Sequence, residues 1–185
     1  MVCKNTSGIP LAQLIEGRSD SFVQRFMITH FFNPVRYMRL LELVSGPKTS
    51  QDVKDRMEAF AQDVLGKGVV WAKDTPNFVA NRIGTYAMMR CLKEMETQDL
   101  SIEEVDAIFG RPLGRPKSAV FRTGDLVGLD LLMAVTEHCY EGLPNDPRRE
   151  MYKASSWVHD LVAAGNLGQK SGSGFYRKTK KSDDN

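Results

Sequence analysis

The chain has no long apolar run. No stretch approaches the ~18 uncharged apolar residues of a membrane span. The opening Met1-Val2-Cys3-Lys4 turns polar at once, which is not the pattern of a signal peptide. Cysteine is scarce, with only Cys3, Cys91 and Cys139. Their spacings fit no zinc site, and an odd count fits no disulfide framework. A reducing, cytoplasmic setting is therefore expected, with the thiols acting as small buried hydrophobes. Neither sign of charge dominates: 25 Lys and Arg face 23 Asp and Glu, for a net charge of +2. That balance gives no electrostatic reason to expect nucleic acid as a partner. Part of the excess sits in Arg177-Lys178-Thr179-Lys180-Lys181, which reads as a solvated, frayed end. A glycine-rich dinucleotide loop is also missing. Gly66-Lys67-Gly68 precedes a strand pattern instead of following one, and Gly172-Ser173-Gly174 lacks the third glycine.

What is present suffices for a folded core. Hydrophobic residues make up 42% of the 185 positions, enough for one medium domain or two small ones. The first third has the texture of an α/β unit. Phe26-Met27-Ile28-Thr29-His30-Phe31-Phe32 is a β-prone run closed by Asn33-Pro34, and Leu40-Leu41-Glu42-Leu43-Val44 is a second, closed by Ser45-Gly46-Pro47. Both are nearly continuous, as in a parallel sheet covered on both faces. A helix from Thr49 or Ser50 to Leu65 follows, then a strand at Val69-Val70-Trp71-Ala72. No strand is expected before the first loop, at Asn5-Thr6-Ser7-Gly8.

Beyond residue 75 the pattern is helical. Pro76 suits a first helical position, and apolar residues recur to about Glu96. Ser101-Ile102-Glu103-Glu104 is a capping box opening a short helix. A rigid loop covers Gly110 to Pro116. The next helix is expected to kink near Thr123-Gly124-Asp125, and the last runs from Asn145-Asp146-Pro147 to Gly165. A glycine-rich turn, Lys170-Ser171-Gly172-Ser173-Gly174-Phe175-Tyr176, closes the pattern.

Two residues of the first third carry chemistry. His30 ends an apolar strand, and in open α/β sheets ligands bind at the C-terminal ends of strands. Glu42 interrupts an apolar strand, where a lone carboxylate is costly to bury. If the two lie on neighbouring strands, the carboxylate sets the imidazole tautomer and leaves the other ring nitrogen as a base. Alternatively, Glu42 points outward from an edge strand and pairs with Arg36 or Arg39. Ser7 with this pair invites a hydrolase reading, but no Gly-x-Ser-x-Gly elbow surrounds it. His138 and His159 fall on helix patterns and read as structural.

Six segments in order resemble the 3-hydroxyacyl-CoA dehydrogenase family. They are Asn5-Thr6-Ser7, His30-Phe31-Phe32-Asn33-Pro34, Leu41-Glu42-Leu43-Val44, Lys73 to Arg82, Asp125 to Asp130, and Lys170 to Tyr176. The loop Gly114-Arg115-Pro116-Lys117-Ser118 is similar to that of bacterial enzymes fusing this dehydrogenase to an enoyl-CoA hydratase. The resemblance implies NAD-dependent oxidation of the 3-hydroxyl of a 3-hydroxyacyl-CoA to the 3-ketoacyl-CoA, in fatty-acid β-oxidation. It implies His30 as general base, Glu42 as its carboxylate partner, and Ser7 and Asn81 at the reacting oxygen. Asn33 and Lys170 would face the cofactor, and no metal is called for.

The implied fold class is an α/β remnant, the C-terminal part of a Rossmann-like parallel sheet, followed by an all-α helical domain. Residues 1–75 would belong to the NAD-binding part and 76–185 to a helical substrate and dimerisation domain. The missing glycine-rich half, roughly a hundred residues of a doubly wound domain, implies a fragment whose isolated activity is lost. The alternative is an inactive helical dimerisation or binding module. A homodimer is expected through Leu126, Val127, Leu131, Leu132 and Val135. One departure from the family stands out: Asn77 occupies a position usually held by glycine. Asparagine tolerates left-handed backbone angles better than most residues.

Overall fold

A computed structural model describes residues 1–178. Thr179, Lys180 and Lys181 of the basic tail lie outside the described residues. Contacts divide the chain into two units, Met1–Arg82 and Ile83–Asn185. This division and the sequence boundary at residue 75 differ by a short segment whose backbone amides bind Glu42.

The first unit is built on a four-stranded sheet in the order β1 (Val2–Lys4), β2 (Phe26–Phe31), β3 (Leu40–Ser45), β4 (Gly68–Ala72). β1 pairs parallel with β2, β2 antiparallel with β3, and β3 parallel with β4. The sheet is therefore mixed, not parallel as the apolar runs suggested. Those runs report burial on both faces, and burial does not depend on strand direction. On one face Met27, Leu41 and Leu43 pack against Val53, Met57 and Ala61. These belong to α3 (Gln51–Ala59) and the wider helical turn Phe60–Val64 that continues it. On the other face Phe26, Ile28 and Val44 pack with Leu11 and Phe78. Side chains alternate along a strand, so His30 and Glu42 share the face of Ile28 and Val44.

The chain does not begin at its first loop, as the sequence suggested. β1 precedes that loop, with Val2 opposite Phe26. Two short helices also went unforeseen, α1 (Leu11–Ile15) and α2 (Asp20–Val23). The side chain of Pro10 cannot cap α1. The carboxylate of Asp74 does so from 63 and 62 residues away, accepting from the amides of Leu11 at 2.9 Å and Ala12 at 3.3 Å. This ties the loop carrying Ser7 to the loop after β4. Cys3 is exposed, contrary to the expectation of buried thiols, while Cys91 and Cys139 are buried.

α4 (Ala80–Thr97) begins four residues later than Pro76 suggested. Asn77 and Phe78 adopt left-handed angles, with φ of 59° and 48°, which no right-handed helix can contain.

In the second unit, α5 (Ile102–Ile108), α6 (Phe121–Val127), α7 (Leu129–Gly142) and α8 (Ser156–Ala163) follow. Its core gathers Cys91, Leu92, Met95, Val105, Val120, Phe121 and Val158. The capping box of α5 forms as expected, with Ser101 and Glu104 exchanging hydrogen bonds. The expected kink lies at Gly128, whose φ of 99° separates α6 from α7, instead of at Thr123–Asp125. Asp125 is used otherwise: its carboxylate accepts the amides of Phe175 at 2.8 Å and Tyr176 at 2.9 Å. This fastens the glycine-rich turn. The single helix expected from Asn145 is a short 3₁₀ turn, Arg149–Tyr152, followed by α8 after the Ser155 cap. Of the apolar positions assigned to a dimer surface, Leu126, Val127 and Leu131 are exposed, but Leu132 is buried in its own unit. Among the described residues no helix is long and apolar enough to cross a membrane.

Candidate active site

The antiparallel register of β2 and β3 sets His30 directly opposite Glu42. Directly opposed residues on one face of such a pair are close neighbours. Here the two side chains meet, with His30 Nδ1 at 2.7 Å from Glu42 Oε2, and both residues are buried. The alternative of an outward-facing Glu42 is thereby excluded.

The other oxygen of Glu42 is also satisfied. Oε1 accepts the backbone amides of Val79 at 3.0 Å and Ala80 at 2.7 Å. These are the amides that the left-handed turn at Asn77–Phe78 presents. Burial by itself pushes the Glu42 carboxyl up. The hydrogen bonds from His30, Ala80 and Val79 and the nearby imidazole charge outweigh it, and the group is held below its ordinary 4.5. Glu42 therefore stays a carboxylate at neutral pH, and a carboxylate only accepts hydrogen bonds. It follows that Nδ1 carries a proton and donates it, and that in the neutral ring Nε2 is the nitrogen left with a free lone pair.

This arrangement makes stability depend on pH. A folded-state value below the unfolded one contributes stability that is fully present above the unfolded value, near 4.5. It is lost as the pH falls through the lower folded value. Urea denaturation between pH 7 and pH 3 should show this contribution as the difference between wild type and Glu42→Gln. The difference should shrink as the pH falls below 4.5. A difference constant with pH would show that the carboxylate charge is not what the fold uses.

The ring of His30 lies 4.4 Å from that of Phe32 and 5.5 Å from that of Phe78, centroid to centroid. It opens on a cleft of about 310 Å³, lined also by Asn5, Thr6, Ser7, Asn33 and Asn81. Asn5 accepts the amide of Phe31, and Thr6 accepts that of Ile9, so both are held by local backbone. Of the site residues expected from sequence, Ser7, His30, Asn33 and Asn81 thus line one cleft, with Glu42 directly behind His30. Lys170 belongs to the second unit, where its ammonium binds both oxygens of Asp130 at 2.6 Å. The Asp130 carboxyl is lowered, chiefly by that bond.

Sequence reasoning missed the amides of Val79 and Ala80 and the ring of Phe78. Only the tolerance of Asn77 for left-handed angles pointed to the turn that presents them.

Comparison with known proteins adds to this geometry. The family model described as the 3-hydroxyacyl-CoA dehydrogenase C-terminal domain matches residues 78–178, and that of the NAD binding domain matches residues 1–75. The chain belongs to the 3-hydroxyacyl-CoA dehydrogenase family. It is 48% identical over 178 residues to a probable 3-hydroxyacyl-CoA dehydrogenase of Bacillus subtilis, covering 96% of this chain and 22% of that one. It is 47% identical to a protein of the same description from Deinococcus radiodurans, covering 97% of this chain and 51% of that one. The solved (S)-3-hydroxybutyryl-CoA dehydrogenase of Ralstonia eutropha is similar with a TM-score of 0.85 and 33% identity, over 97% of this chain and 61% of that chain. The chain thus spans about a fifth to about half the length of these curated dehydrogenase-family relatives.

Proposed function

We propose that this chain supplies the proton-transfer machinery of an NAD-dependent 3-hydroxyacyl-CoA dehydrogenase acting in fatty-acid β-oxidation. The observation that carries the reading is the His30–Glu42 pair, held by two backbone amides and opening on a cleft lined by small polar side chains.

Oxidation of a secondary alcohol removes a hydride from carbon and a proton from oxygen. His30 Nε2 takes the proton as the carbon–oxygen double bond forms, and Glu42 stabilises the resulting imidazolium. Ser7 and Asn81 hold the substrate oxygen beside that nitrogen. In the reverse direction the imidazolium returns the proton to the ketone oxygen. When bound, NAD supplies the hydride acceptor. Asn33 and the ring of Phe32, both lining the cleft, suit the amide and the flat face of a nicotinamide, and Lys170 would serve the cofactor from the closing turn. The sequence offers no glycine-rich loop for the pyrophosphate, so the 185 residues alone should hold NAD poorly.

Reduction of acetoacetyl-CoA by NADH tests the reading. The isolated chain should show no measurable turnover. A form that also carries a glycine-rich dinucleotide half should reach the ordinary enzymatic range of ~1–10³ s⁻¹. No activity in the form with the added dinucleotide half would remove the assignment.

A further inference from the structure

The second unit holds a cleft that the proposed chemistry does not use. It has a volume of about 550 Å³ and is lined by four cations, Lys117, Arg122, Arg177 and Lys178. They come from two separate stretches, the loop leading into α6 with α6 itself, and the segment after the glycine-rich turn. The second stretch is anchored through its backbone. Ser173 bridges to Arg177, and the amide of Lys178 donates to the carbonyl of Gly172 at 3.1 Å.

Among the described residues, the nearby carboxylates are engaged by backbone amides and form no ion pair with these cations. The carboxylate lining the cleft, Asp125, has its oxygens on the amides of Phe175 and Tyr176. Behind the cleft, Asp106 accepts the amides of Val120, Phe121 and Arg122 and the hydroxyl of Tyr176. Burial, then the hydrogen bond and charge of Asp106, push the Tyr176 phenol up to about 12, so it adds no negative charge. Lys117, Arg177 and Lys178 have no carboxylate partner among the described residues. With four cations against the one lining carboxylate, the cleft carries an excess of positive charge, and a concave surface of that kind focuses its field on what enters.

We propose that this cleft is a binding site for a phosphorylated nucleotide. The two arginines offer planar forks that match phosphate oxygens. The guanidinium of Arg122 is already oriented, lying 4.8 Å over the ring of Tyr176. The volume is in the range of small-molecule sites and exceeds what a bare phosphate fills. Leu126, 60% exposed, adds an apolar wall against which a base or sugar can rest.

The site stands apart from the reading of His30, and its test needs no turnover. Calorimetric titration of the chain with ADP and with coenzyme A at low salt should give saturable binding. Adenosine should give none, and pyrophosphate should bind more weakly than ADP. Arg122→Gln with Arg177→Gln should weaken ADP at least tenfold. Because Arg122 packs on Tyr176, the pair Lys117→Gln with Lys178→Gln provides a second variant that leaves this packing alone. It too should weaken ADP several-fold, whereas Arg25→Gln in the first unit should not. Similar affinity for ADP and coenzyme A would mark the nucleotide as the recognised part whichever molecule carries it. Coenzyme A binding without ADP binding would overturn the proposal. So would ADP binding that both pairs of variants leave unchanged, or no saturable heat at millimolar ADP.

Discussion

His30→Ala is expected to lower turnover by about 10²–10⁴, the usual contribution of a positioned acid–base group. The assay is acetoacetyl-CoA reduction by a form of the protein that also carries a glycine-rich dinucleotide half. Glu42→Gln should be nearly as damaging, for a reason visible in the hydrogen bonds. Its amide oxygen would be claimed by the amides of Val79 and Ala80, which Glu42 Oε1 accepts now. The amide NH₂ would then face His30 Nδ1, where Oε2 now accepts at 2.7 Å. An amide donor there forces the proton onto Nε2, so the nitrogen that should receive the substrate proton is blocked. Removing both residues should cost little more than removing His30 alone, because groups acting as a unit are not additive. Fully additive losses would mean that Glu42 acts elsewhere.

The second large effect belongs to the turn that holds Glu42. Asn77 is buried at φ 59° and Phe78 follows at φ 48°. A left-handed conformation costs an ordinary L residue roughly 1–2 kcal/mol, and a β-branched residue tolerates it least. Asn77→Val should therefore be less stable than Asn77→Gly by about 2 kcal/mol, measured by urea denaturation at pH 7. The strain should also pull the Val79 and Ala80 amides from the carboxylate. On the proposed function, turnover of a form that also carries a glycine-rich dinucleotide half should then fall in Asn77→Val and persist in Asn77→Gly. Equal stability of the two variants would show that the backbone angle at this position does not matter.

Much of the first unit could be read from the residues because burial leaves a strong signature. A carboxylate between Leu41 and Leu43 demanded a partner, and His30 at the end of another apolar strand was the candidate at hand. The direction of pairing left no such trace. β2 and β3 are apolar because both faces are covered, and that is equally true of parallel and antiparallel neighbours. The register that sets His30 opposite Glu42 was thus invisible although its consequence was legible. β1 was missed because its three residues are exposed, so no apolar run announces it. α1 and α2 span five and four residues, too few for a helical period to emerge, and α1 is capped by the distant Asp74. Gly128 was overlooked as a break because Leu126, Val127 and Leu131 continue an apolar pattern across it, although Leu126, Val127 and Leu131 are exposed.

If Glu42 fixes the proton of His30 on Nδ1, Nε2 of the neutral ring is free to act as the base. Nitrogen-15 NMR of the histidine-labelled 185-residue chain, under conditions where the ring is neutral, reads this directly. His30 should show a protonated Nδ1 and an unprotonated Nε2, and Glu42→Gln should reverse the two. A wild-type ring with its proton on Nε2 would contradict the account.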